Sequence, residues 1–376
     1  MPKSVVFLRS NPIAPDPRVE KASKALFRNG YKVYIVGWDR EGKFKSENLT
    51  HADIIRLYIP ARFGSGIRNL PYLIKWNIRL MLWLFKHRKK YDYIHACDFD
   101  TILPAFVMKV FFGKKVVYDI FDFYSDMLRR VPNIIKRIIK KIDLKIISKV
   151  DVVIIADENR KCQIKGSSPR KLIVIYNSPE RLNSIDDIEI EINDNKEVIF
   201  QISYVGLLQV ERGLLEMIEI VKRHPEWRLH LAGYGGDEDT IISVIKDCNN
   251  IKFYGRVSYK DALKINKLSD VMFATYDPKI PNHVFSSANK LFEAMMLGKP
   301  IIVARNTGMD KLVLKYDLGR VVEYGDLNEL EKVLTEFSLM NDKDKKLFAE
   351  RVKKIYNDYF SWDKMEERLV SLYNNL

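Results

Sequence analysis

Short apolar runs alternate with amphipathic helical stretches along almost the whole chain, and this alternation limits the fold more than any other feature of the sequence. Strands that are separated by helices predict parallel sheets covered by helices on both faces, so the expected fold class is α/β. The predicted strands of the first series are 4–8, 32–36, 53–57, 93–96, 115–118, 152–156 and 172–176. Those of the second series are 197–202, 228–232, 250–254, 271–274, 300–304 and 319–323. Both series have the pattern of a doubly wound sheet.

The length of the chain indicates two such domains, because 376 residues exceed the size at which one hydrophobic core keeps growing. The sequence becomes polar and acidic around Pro179, which places a linker at 178–196. We therefore expect Rossmann-like domains at 1–177 and 197–343, and a helical segment at 344–376 that packs back on the first domain. Ligands of open parallel sheets bind beyond the carboxyl ends of the strands, so two facing sheets predict a site in the cleft between them.

The formal net charge of +14 indicates an anionic partner, which is nucleic acid, a phosphate-bearing substrate or an acidic membrane surface. Two segments, 72–90 and 129–149, combine cationic and apolar side chains at helical spacing. This pattern is typical of interfacial membrane helices, and equally of basic helix faces in solvent. In the first segment, the apolar stripe is Trp76, Leu80, Trp83 and Leu84, and the cationic border is Lys75, Arg79, Lys86 and Arg88.

No segment has the composition of a membrane span or of a signal peptide. The apolar runs stay below the roughly 18 residues that a bilayer requires, and the N-terminus begins directly with a strand pattern. We therefore expect a cytoplasmic protein, held peripherally at the inner face of the cell membrane if 72–90 and 129–149 bind lipid. The cysteines, Cys97, Cys162 and Cys248, are too scattered for a zinc site or a disulfide framework.

The segment 286–300 carries the most informative chemistry. A helix that begins at Asn289 would direct its first amide groups and the ammonium group of Lys290 at one point, which suits a diphosphate. Glu293 lies one turn further on, where a carboxylate accepts hydrogen bonds from adjacent ribose hydroxyls. An N-capped surface helix with an ordinary exposed glutamate has the same residues, and the segment alone leaves both interpretations open.

This segment resembles the donor-binding signature of glycosyltransferase family 4, in which an Asn-Lys-Leu-Phe-Glu helix precedes Gly-Lys-Pro and a strand. Other stretches resemble the same family in order and spacing: 15–20, 118–122, 176–179, 204–206, 211–213 and 233–235. The resemblance covers nearly the whole chain and implies the GT-B fold. It also implies a UDP- or GDP-sugar bound by the second domain, an acceptor bound by the first, retention of configuration, and no obligatory metal or other cofactor.

The resemblance assigns a set of donor-binding residues, which are Gly206, Arg212, Gly233, Asn289, Lys290, Leu291 and Glu293. Gly206 would let the backbone approach a diphosphate, and Arg212 would neutralise it. The arginine that often follows this glycine in the family is Leu207 here, so Arg212 and Lys290 would carry most of the positive charge. Taken alone, Arg212 is equally an ordinary surface residue, and Gly233 a tight strand-to-helix turn.

Two further positions depart from the family pattern. Phe285 stands eight positions before Glu293, where many members have a second glutamate that contacts the donor sugar, so this contact is not carried over. Phe121 stands where the family often has a histidine beside that sugar. Its absence directs attention to Asp119 and Asp122 as catalytic candidates, although helix caps and loop residues are as common at the end of a strand.

The first domain supplies two further candidates. Arg18 follows a proline-rich loop and is assigned to the acceptor side, with a plain ion pair at the helix start as the alternative. Asp98 matches a family position near the acceptor and completes the predicted catalytic set. His95, on the strand before it, is predicted to be a histidine of the core.

These observations predict a retaining hexosyl- or N-acetylhexosaminyltransferase, with a saccharide acceptor that is lipid-linked if the basic helices bind a membrane. Such an enzyme would act in glycan or surface polysaccharide biosynthesis. A sugar-nucleotide epimerase shares the double-Rossmann plan and would isomerise the nucleotide-sugar without any acceptor. A nucleic-acid-binding protein is the weaker alternative, because no recognition motif accompanies the positive charge. We therefore expect no nucleic-acid partner.

Overall fold

The structure is a computed structural model that describes residues 3–62, 66–128, 131–180 and 199–376. The chain forms two compact units, one of Met1–Tyr176 with Met365–Leu376 and one of Asn177–Lys364. Each unit has its own sheet with helices connecting the strands, as the α/β pattern predicts.

The first unit is built on an eight-stranded sheet. Its strands are β1 Ser4–Arg9, β2 Lys32–Asp39, β3 Glu47–Asn48, β4 Asp53–Tyr58, β5 Tyr93–Cys97, β6 Lys115–Ile120, β7 Val152–Ile155 and β8 Leu172–Val174. Its helices up to β8, within the described residues, are α1 Pro17–Arg28, α2 Leu70–Lys86, α3 Phe99–Phe112, α4 Tyr124–Met127 and α5 Asn133–Ile147.

The strand order in this sheet is β3-β4-β2-β1-β5-β6-β7-β8. All neighbouring strands run parallel except β3 and β4. The order reverses at β1, which is the arrangement of a doubly wound Rossmann sheet. The carboxyl ends of β1, β5 and β6 therefore lie side by side, and the residues that follow them meet at one edge of the sheet.

The second unit repeats this plan with a six-stranded, all-parallel sheet in the order β11-β10-β9-β12-β13-β14. Its strands are β9 Phe200–Leu208, β10 Trp227–Gly236, β11 Ile251–Phe253, β12 Val271–Ala274, β13 Ile301–Ala304 and β14 Gly319–Val322. Its helices in the described residues are α6 Leu214–Arg223, α7 Glu238–Ile245, α8 Tyr259–Leu268, α9 Asn289–Leu297, α10 Met309–Tyr316, α11 Leu327–Ser338 and α12 Asp342–Ile355. The last helix, α13 Trp362–Asn374, begins in this unit and lies mostly in the first. The strands are continuous apolar runs because helices cover both faces of such a sheet.

The two units divide the C-terminal segment differently from the predicted limits of 344–376. Helix α12 belongs to the second unit, and only the residues from Met365 onward belong to the first. There Tyr373 is fully buried, and its hydroxyl lies 2.8 Å from Nδ1 of His95. Most of the predicted linker at 178–196 lies outside the described residues.

Helix α2 confirms the helix predicted in 72–90, but the apolar stripe proposed for its membrane face was largely wrong. Trp76, Leu80 and Leu84 have no exposed surface, and the Trp76 ring stacks on Trp38 at 5.3 Å between centroids. These residues are core because α2 packs against α3. A second apolar stripe on the same helix is exposed instead, and it contains Leu70, Ile74, Ile78, Leu82 and Phe85.

Helix α5 occupies the middle of the predicted basic segment 129–149, of which residues 129 and 130 lie outside the described part of the chain. Its exposed apolar residues are Ile134, Ile138 and Ile142. Cationic side chains of Arg137, Lys140 and Lys141 are exposed on the same helix. Among the described residues, no helix reaches both the length and the hydropathy of a bilayer-spanning segment.

Candidate functional site

The carboxyl edge of the second sheet brings together several of the predicted donor-binding residues. Gly206 lies near the end of β9, and Gly233 pairs with it near the end of β10. Tyr276 follows the end of β12, and α9 begins at Asn289 as predicted. Because β10, β9 and β12 are neighbours in the sheet, their ends meet at one place.

Lys290 is the cation at the centre of this group. Its side chain is buried, and its ammonium group lies 4.2 Å from the centroid of the Tyr204 ring and 3.4 Å from the hydroxyl of Tyr276. Burial opposes a charge on Lys290, but the two tyrosines outweigh it and raise the pKa of the ammonium group. Lys290 therefore remains charged at neutral pH and is held in one position.

Arg212 approaches the same tyrosine from the short helical turn that precedes α6. Its guanidinium carbon lies 4.5 Å from the centroid of the Tyr276 ring, and its Nε donates a 3.0 Å hydrogen bond to Gln209. Burial alone would raise the pKa of the Tyr276 hydroxyl, but Lys290 and Arg212 lower it. The two predicted phosphate-binding cations thus converge on one ring, which makes a locally positive site.

Two glycines allow this close approach. A Cβ atom on Gly206 would lie 2.6 Å from Nζ of Lys290, so a side chain there would displace the ammonium group. A Cβ atom on Gly233 would overlap the carbonyl oxygen of Gly206. Both glycines adopt positive φ angles, 157° and 151°, that side chains rarely permit. The two glycines therefore let Lys290 and the ends of β9 and β10 pack closely at this edge of the sheet.

Helix α9 presents its predicted residues in different ways. Asn289 is the first residue and is exposed, whereas Leu291 is fully buried in the core and has no side-chain surface for a ligand. Glu293 is buried and hydrogen-bonds with the hydroxyl of Tyr259, and burial together with this carboxylate raises the tyrosine's pKa. Glu293 is therefore not the ordinary exposed glutamate of a surface helix.

The first unit holds Asp119 in a buried ion-pair network. Arg18 donates from Nε and Nη2 to the two carboxylate oxygens, at 3.1 and 2.8 Å, and His95 lies 3.3 Å away. Burial would raise the pKa of Asp119, but Arg18 and His95 outweigh it and lower the pKa to about 2. The ion-pair alternative for Arg18 is thus present, and the interpretation of His95 as a core residue is confirmed.

Asp98 lies beside this network, directly after β5. One carboxylate oxygen accepts hydrogen bonds from the backbone amides of Phe121 and Asp122, at 2.8 and 3.3 Å, and the other pairs with Arg9. Burial raises the pKa of Asp98 to about 7, against the opposing charge of Arg9. The guanidinium carbons of Arg9 and Arg18 lie 4.1 and 5.0 Å from the Phe121 ring, at the position where a histidine is absent.

Asp122 differs from the other two aspartates because about one-third of its side chain is exposed. It accepts a 3.0 Å hydrogen bond from Nη2 of Arg160. The structure therefore brings Asp98, Asp119 and Asp122 to one edge of the first sheet, and of the three Asp122 is the most accessible to a substrate.

Sequence reasoning missed several residues of these sites. Tyr276 lies two residues after a predicted strand, so its position at the carboxyl edge was available as a signal. Tyr259 and Arg9 are far in sequence from Glu293 and Asp98, the residues they contact. No local pattern marks such pairs, because the fold alone brings them together.

Comparison with known proteins identifies the fold. Residues 185–366 match the family described as glycosyl transferases group 1, whereas a search of curated proteins found no match. Sucrose-phosphate synthase from Thermosynechococcus elongatus superposes with a TM-score of 0.77 at 14% identity, over 99% of this chain and 98% of that one. Anabaena HepE in complex with UDP and glucose gives 0.68 at 15% identity, over 100% of both chains.

A third similar structure is an E. coli trehalose-6-phosphate structure bound with UDP-2-fluoro glucose, with a TM-score of 0.71, 12% identity and 98% of each chain covered. At these identities the likeness concerns the fold, which agrees with the two doubly wound sheets. The chain therefore has the GT-B fold, and its residues 185–366 are similar to the glycosyl transferases group 1 family.

Proposed function

We propose that the protein transfers a hexosyl or N-acetylhexosaminyl group from a nucleotide diphosphate sugar to a saccharide acceptor, with retention of configuration. The observation that carries this proposal is the convergence of Lys290 and Arg212 on Tyr276 at the carboxyl edge of the second sheet. Two fixed cations beside a glycine backbone suit the diphosphate of such a donor. The HepE structure contains UDP and glucose, which supports a uridine donor, and a guanosine donor has the same diphosphate.

The two cations also supply the chemistry of the leaving group. When the bond between the sugar and the diphosphate breaks, negative charge develops on the phosphate oxygens. Lys290 and Arg212 are held in place before the reaction, so they stabilise this charge without reorganisation. We accordingly assign the protein no obligatory metal or other cofactor. The departing phosphate would accept the proton of the acceptor hydroxyl, so no histidine at position 121 is required.

The remaining residues have assigned roles on the donor and acceptor sides. Glu293 would accept hydrogen bonds from the ribose hydroxyls, beside its bond with Tyr259. Asp122, the most exposed of the three aspartates, would contact the acceptor, while Asp98 and Asp119 hold the edge on which it lies.

The acceptor is assigned as a lipid-linked saccharide of glycan or surface polysaccharide biosynthesis. The protein would bind it at the inner face of the cell membrane. The exposed apolar and cationic residues of α2 and α5 support this assignment. Such helices bind anionic lipid surfaces through apolar burial and charge together.

Ligand binding tests the diphosphate site. Lys290→Ala and Arg212→Ala are each expected to weaken a nucleoside diphosphate by about 10- to 150-fold, because each removes a charge-assisted contact. The bare nucleoside should lose little. Lys246→Ala, which removes an exposed cation from the same unit, is the matched control. Equal weakening of nucleoside and nucleoside diphosphate, measured by calorimetry, would contradict the assignment.

Product analysis separates sugar transfer from the epimerase alternative. The protein is incubated with a panel of UDP- and GDP-sugars, with and without saccharide acceptors, and the products are resolved by chromatography. Transfer predicts a glycosylated acceptor and free nucleoside diphosphate. An isomerised nucleotide-sugar formed without any acceptor would establish an epimerase instead.

A further inference from the structure

A cavity of about 770 Å³ lies within the first unit, among α2, α3 and α5. Its volume falls in the range of roughly 300–1,000 Å³ that is usual for sites of small organic ligands. Apolar side chains from all three helices line most of it, among them Leu73, Met81, Leu103, Val107 and Ile139. Such a lining suits a hydrocarbon ligand.

The cavity opens at an apolar surface. Its lining residues Ile74, Ile78 and Leu82 on α2 are 53%, 55% and 62% exposed. On α5, Ile134 and Ile138 extend the exposed apolar surface beside the lining residues of that helix. An apolar surface of this kind marks an interaction site rather than an ordinary solvated face.

The charges that accompany this surface are positive. Helix α2 contains no acidic residue, and the acidic residue of α5, Asp143, is buried and accepts a 2.9 Å hydrogen bond from Tyr118. The exposed charges of the two helices therefore come from lysine and arginine, including Arg79, Arg137 and Lys140. An occupant with an anionic group next to an apolar part complements such a surface.

The inner end of the cavity reaches the carboxyl edge of the first sheet. Trp38 and Arg40 come from the end of β2, Asp100 follows β5, and Tyr124 follows β6. The guanidinium carbon of Arg40 lies 3.9 Å from the centroid of the Trp38 ring. This is the edge that also carries Asp98 and the other two aspartates, so the cavity connects the apolar surface with the proposed acceptor side.

We propose that this cavity binds the hydrocarbon chain of a lipid whose phosphate-containing headgroup lies at the inner end, beside Arg40. The identification of this lipid as the sugar acceptor rests on the proposed function, whereas its binding to the cavity does not. A single chain fits the position between three helices. The guanidinium group of Arg40, which also interacts with the carboxylate of Asp100, gives the phosphate a cation at the edge of the sheet. The bound lipid would thereby present its headgroup to the aspartates at the same edge.

Binding of n-alkyl phosphates of increasing chain length tests the cavity directly, at concentrations below micelle formation. Affinity should rise about fourfold for each added methylene group until the cavity is filled, and then stay constant. Val107→Trp fills the cavity and should weaken the longest ligand by at least tenfold. Val110→Trp is the matched control, since it makes the same change on the exposed surface of the same helix.

Ile139→Phe provides a second blocking variant from a different helix, and circular dichroism checks that each variant is folded. If affinity does not depend on chain length, or if the Val107 and Val110 variants bind equally, the proposal is overturned. A dimer in sedimentation equilibrium that Val107→Trp dissociates would also overturn it, because the face would then belong to a second copy of the chain.

Two further ligands and one variant test the position of the phosphate. Arg40→Gln should weaken the alkyl phosphate by about tenfold or more and leave the alkyl alcohol of the same length unchanged. Inorganic phosphate should not displace the alkyl phosphate, which separates a lipid headgroup from a free anion. Displacement by inorganic phosphate alone, or equal losses for the phosphate and the alcohol, would contradict the assigned orientation.

The test of lipid binding to the cavity can succeed or fail independently of the proposed function. Alkyl phosphate binding requires no nucleotide and no sugar transfer, so it can succeed in a protein that binds no nucleotide-sugar. Conversely, Val107→Trp should bind nucleoside diphosphates with unchanged affinity, because Lys290 and Arg212 belong to the other unit. If Val107→Trp loses the binding of both alkyl phosphate and nucleoside diphosphate, its fold is damaged, and Ile139→Phe then decides the cavity assignment.

Discussion

Asp119 is a catalytic candidate from its position in the sequence, but the contacts of its carboxylate in the structure stabilise the fold. The sequence places it at the end of a strand, two residues before Phe121, the position where the resemblance leads one to expect a histidine. In the structure both of its oxygens bind Arg18, and His95 lies beside one of them. A carboxylate so occupied has little capacity left for a substrate, and its low pKa makes it a poor proton acceptor at neutral pH.

The pH dependence of stability tests this structural role. A folded-state pKa of about 2, against 3.8 without the fold, means that the carboxylate stabilises the protein above pH 4 and loses this effect as the pH falls toward 2. Asp119→Asn should therefore cost at least about 2 kcal/mol at pH 7. The difference from the parent chain should shrink between pH 4 and pH 2. Urea denaturation across this range is the measurement.

Asp247→Asn is the control for that series, because Asp247 is exposed and its replacement should change stability by less than about 0.5 kcal/mol. A cost for Asp119→Asn that is independent of pH would show that the ion pair is not the source of the stabilisation.

The contribution of the proposed ribose contact to nucleotide affinity can be measured by substituting Glu293. Glu293→Ala should weaken nucleotide binding by roughly 10- to 150-fold, since a charged acceptor in a buried hydrogen bond is worth about 1.5 to 3 kcal/mol. Glu293→Gln should lose less. A deoxyribose nucleotide lacks the partner hydroxyl, so the parent chain and the alanine variant should bind it almost equally, which closes a double-mutant cycle.

Calorimetry on the four combinations of protein and ligand decides the role. Because Glu293 also hydrogen-bonds with Tyr259, Tyr259→Phe is a necessary companion variant. If Glu293→Ala loses as much affinity for the deoxyribose ligand as for the ribose ligand, the carboxylate serves the structure of α9 rather than the ribose.

At the scale of elements, the sequence predicted the strands well and their limits less well. Every predicted strand is present, because runs of buried apolar residues between helices are a strong signal. The strands β9 and β10 continue further than predicted, to Leu208 and Gly236. Their last residues include glycines, which weaken a strand pattern, yet pairing with neighbouring strands keeps them extended. The two-residue strand β3 carries no pattern at all.

Helix α2 shows a second limit of sequence reasoning. It is apolar on two faces, and a helical pattern does not state which face the rest of the protein covers. The tryptophan-rich stripe predicted for a membrane is mostly core, and the isoleucine and leucine stripe is exposed. Only the packing of α2 against α3 decides between them.

A pair of substitutions on this helix distinguishes the faces. Leu80→Ala should cost about 2 to 5 kcal/mol because it leaves a cavity in the core. Ile78→Ala removes a half-exposed side chain and should change stability by no more than about 0.5 kcal/mol. Chemical denaturation of both variants is the measurement. Similar costs at both positions would mean that the exposed stripe is covered within the folded protein.

At the scale of the whole molecule, the chain repeats one topology in two units. Both sheets reverse their strand order at their first strand, and each gathers its functional candidates at the carboxyl edge. The cations of the second unit suit a phosphate donor, and the aspartates and apolar cavity of the first suit an acceptor with a lipid part. The two units therefore differ in chemistry because different side chains lie at the carboxyl edges of two sheets that share the same reversal of strand order.

The net charge of +14 favours binding to anionic membranes. Whether binding depends on where the positive charges lie, and not only on their number, can be tested. The protein should sediment with vesicles that contain anionic lipid and not with neutral ones, and binding should fall as salt shortens the reach of the charges. Replacing Arg137 and Lys140 of α5 by glutamine should weaken anionic vesicle binding by about 30-fold, because each cation near the surface contributes about 1 kcal/mol.

The same loss of charge on a different helix is the control. Lys343 and Lys346 are exposed on α12, and replacing both by glutamine lowers the net charge equally. This variant should bind vesicles nearly as well as the parent chain, because its cations lie outside the surface formed by α2 and α5. If the two double variants lose affinity to the same degree, binding depends on overall charge alone. If neither neutral nor anionic vesicles bind at low salt, the membrane assignment itself is wrong.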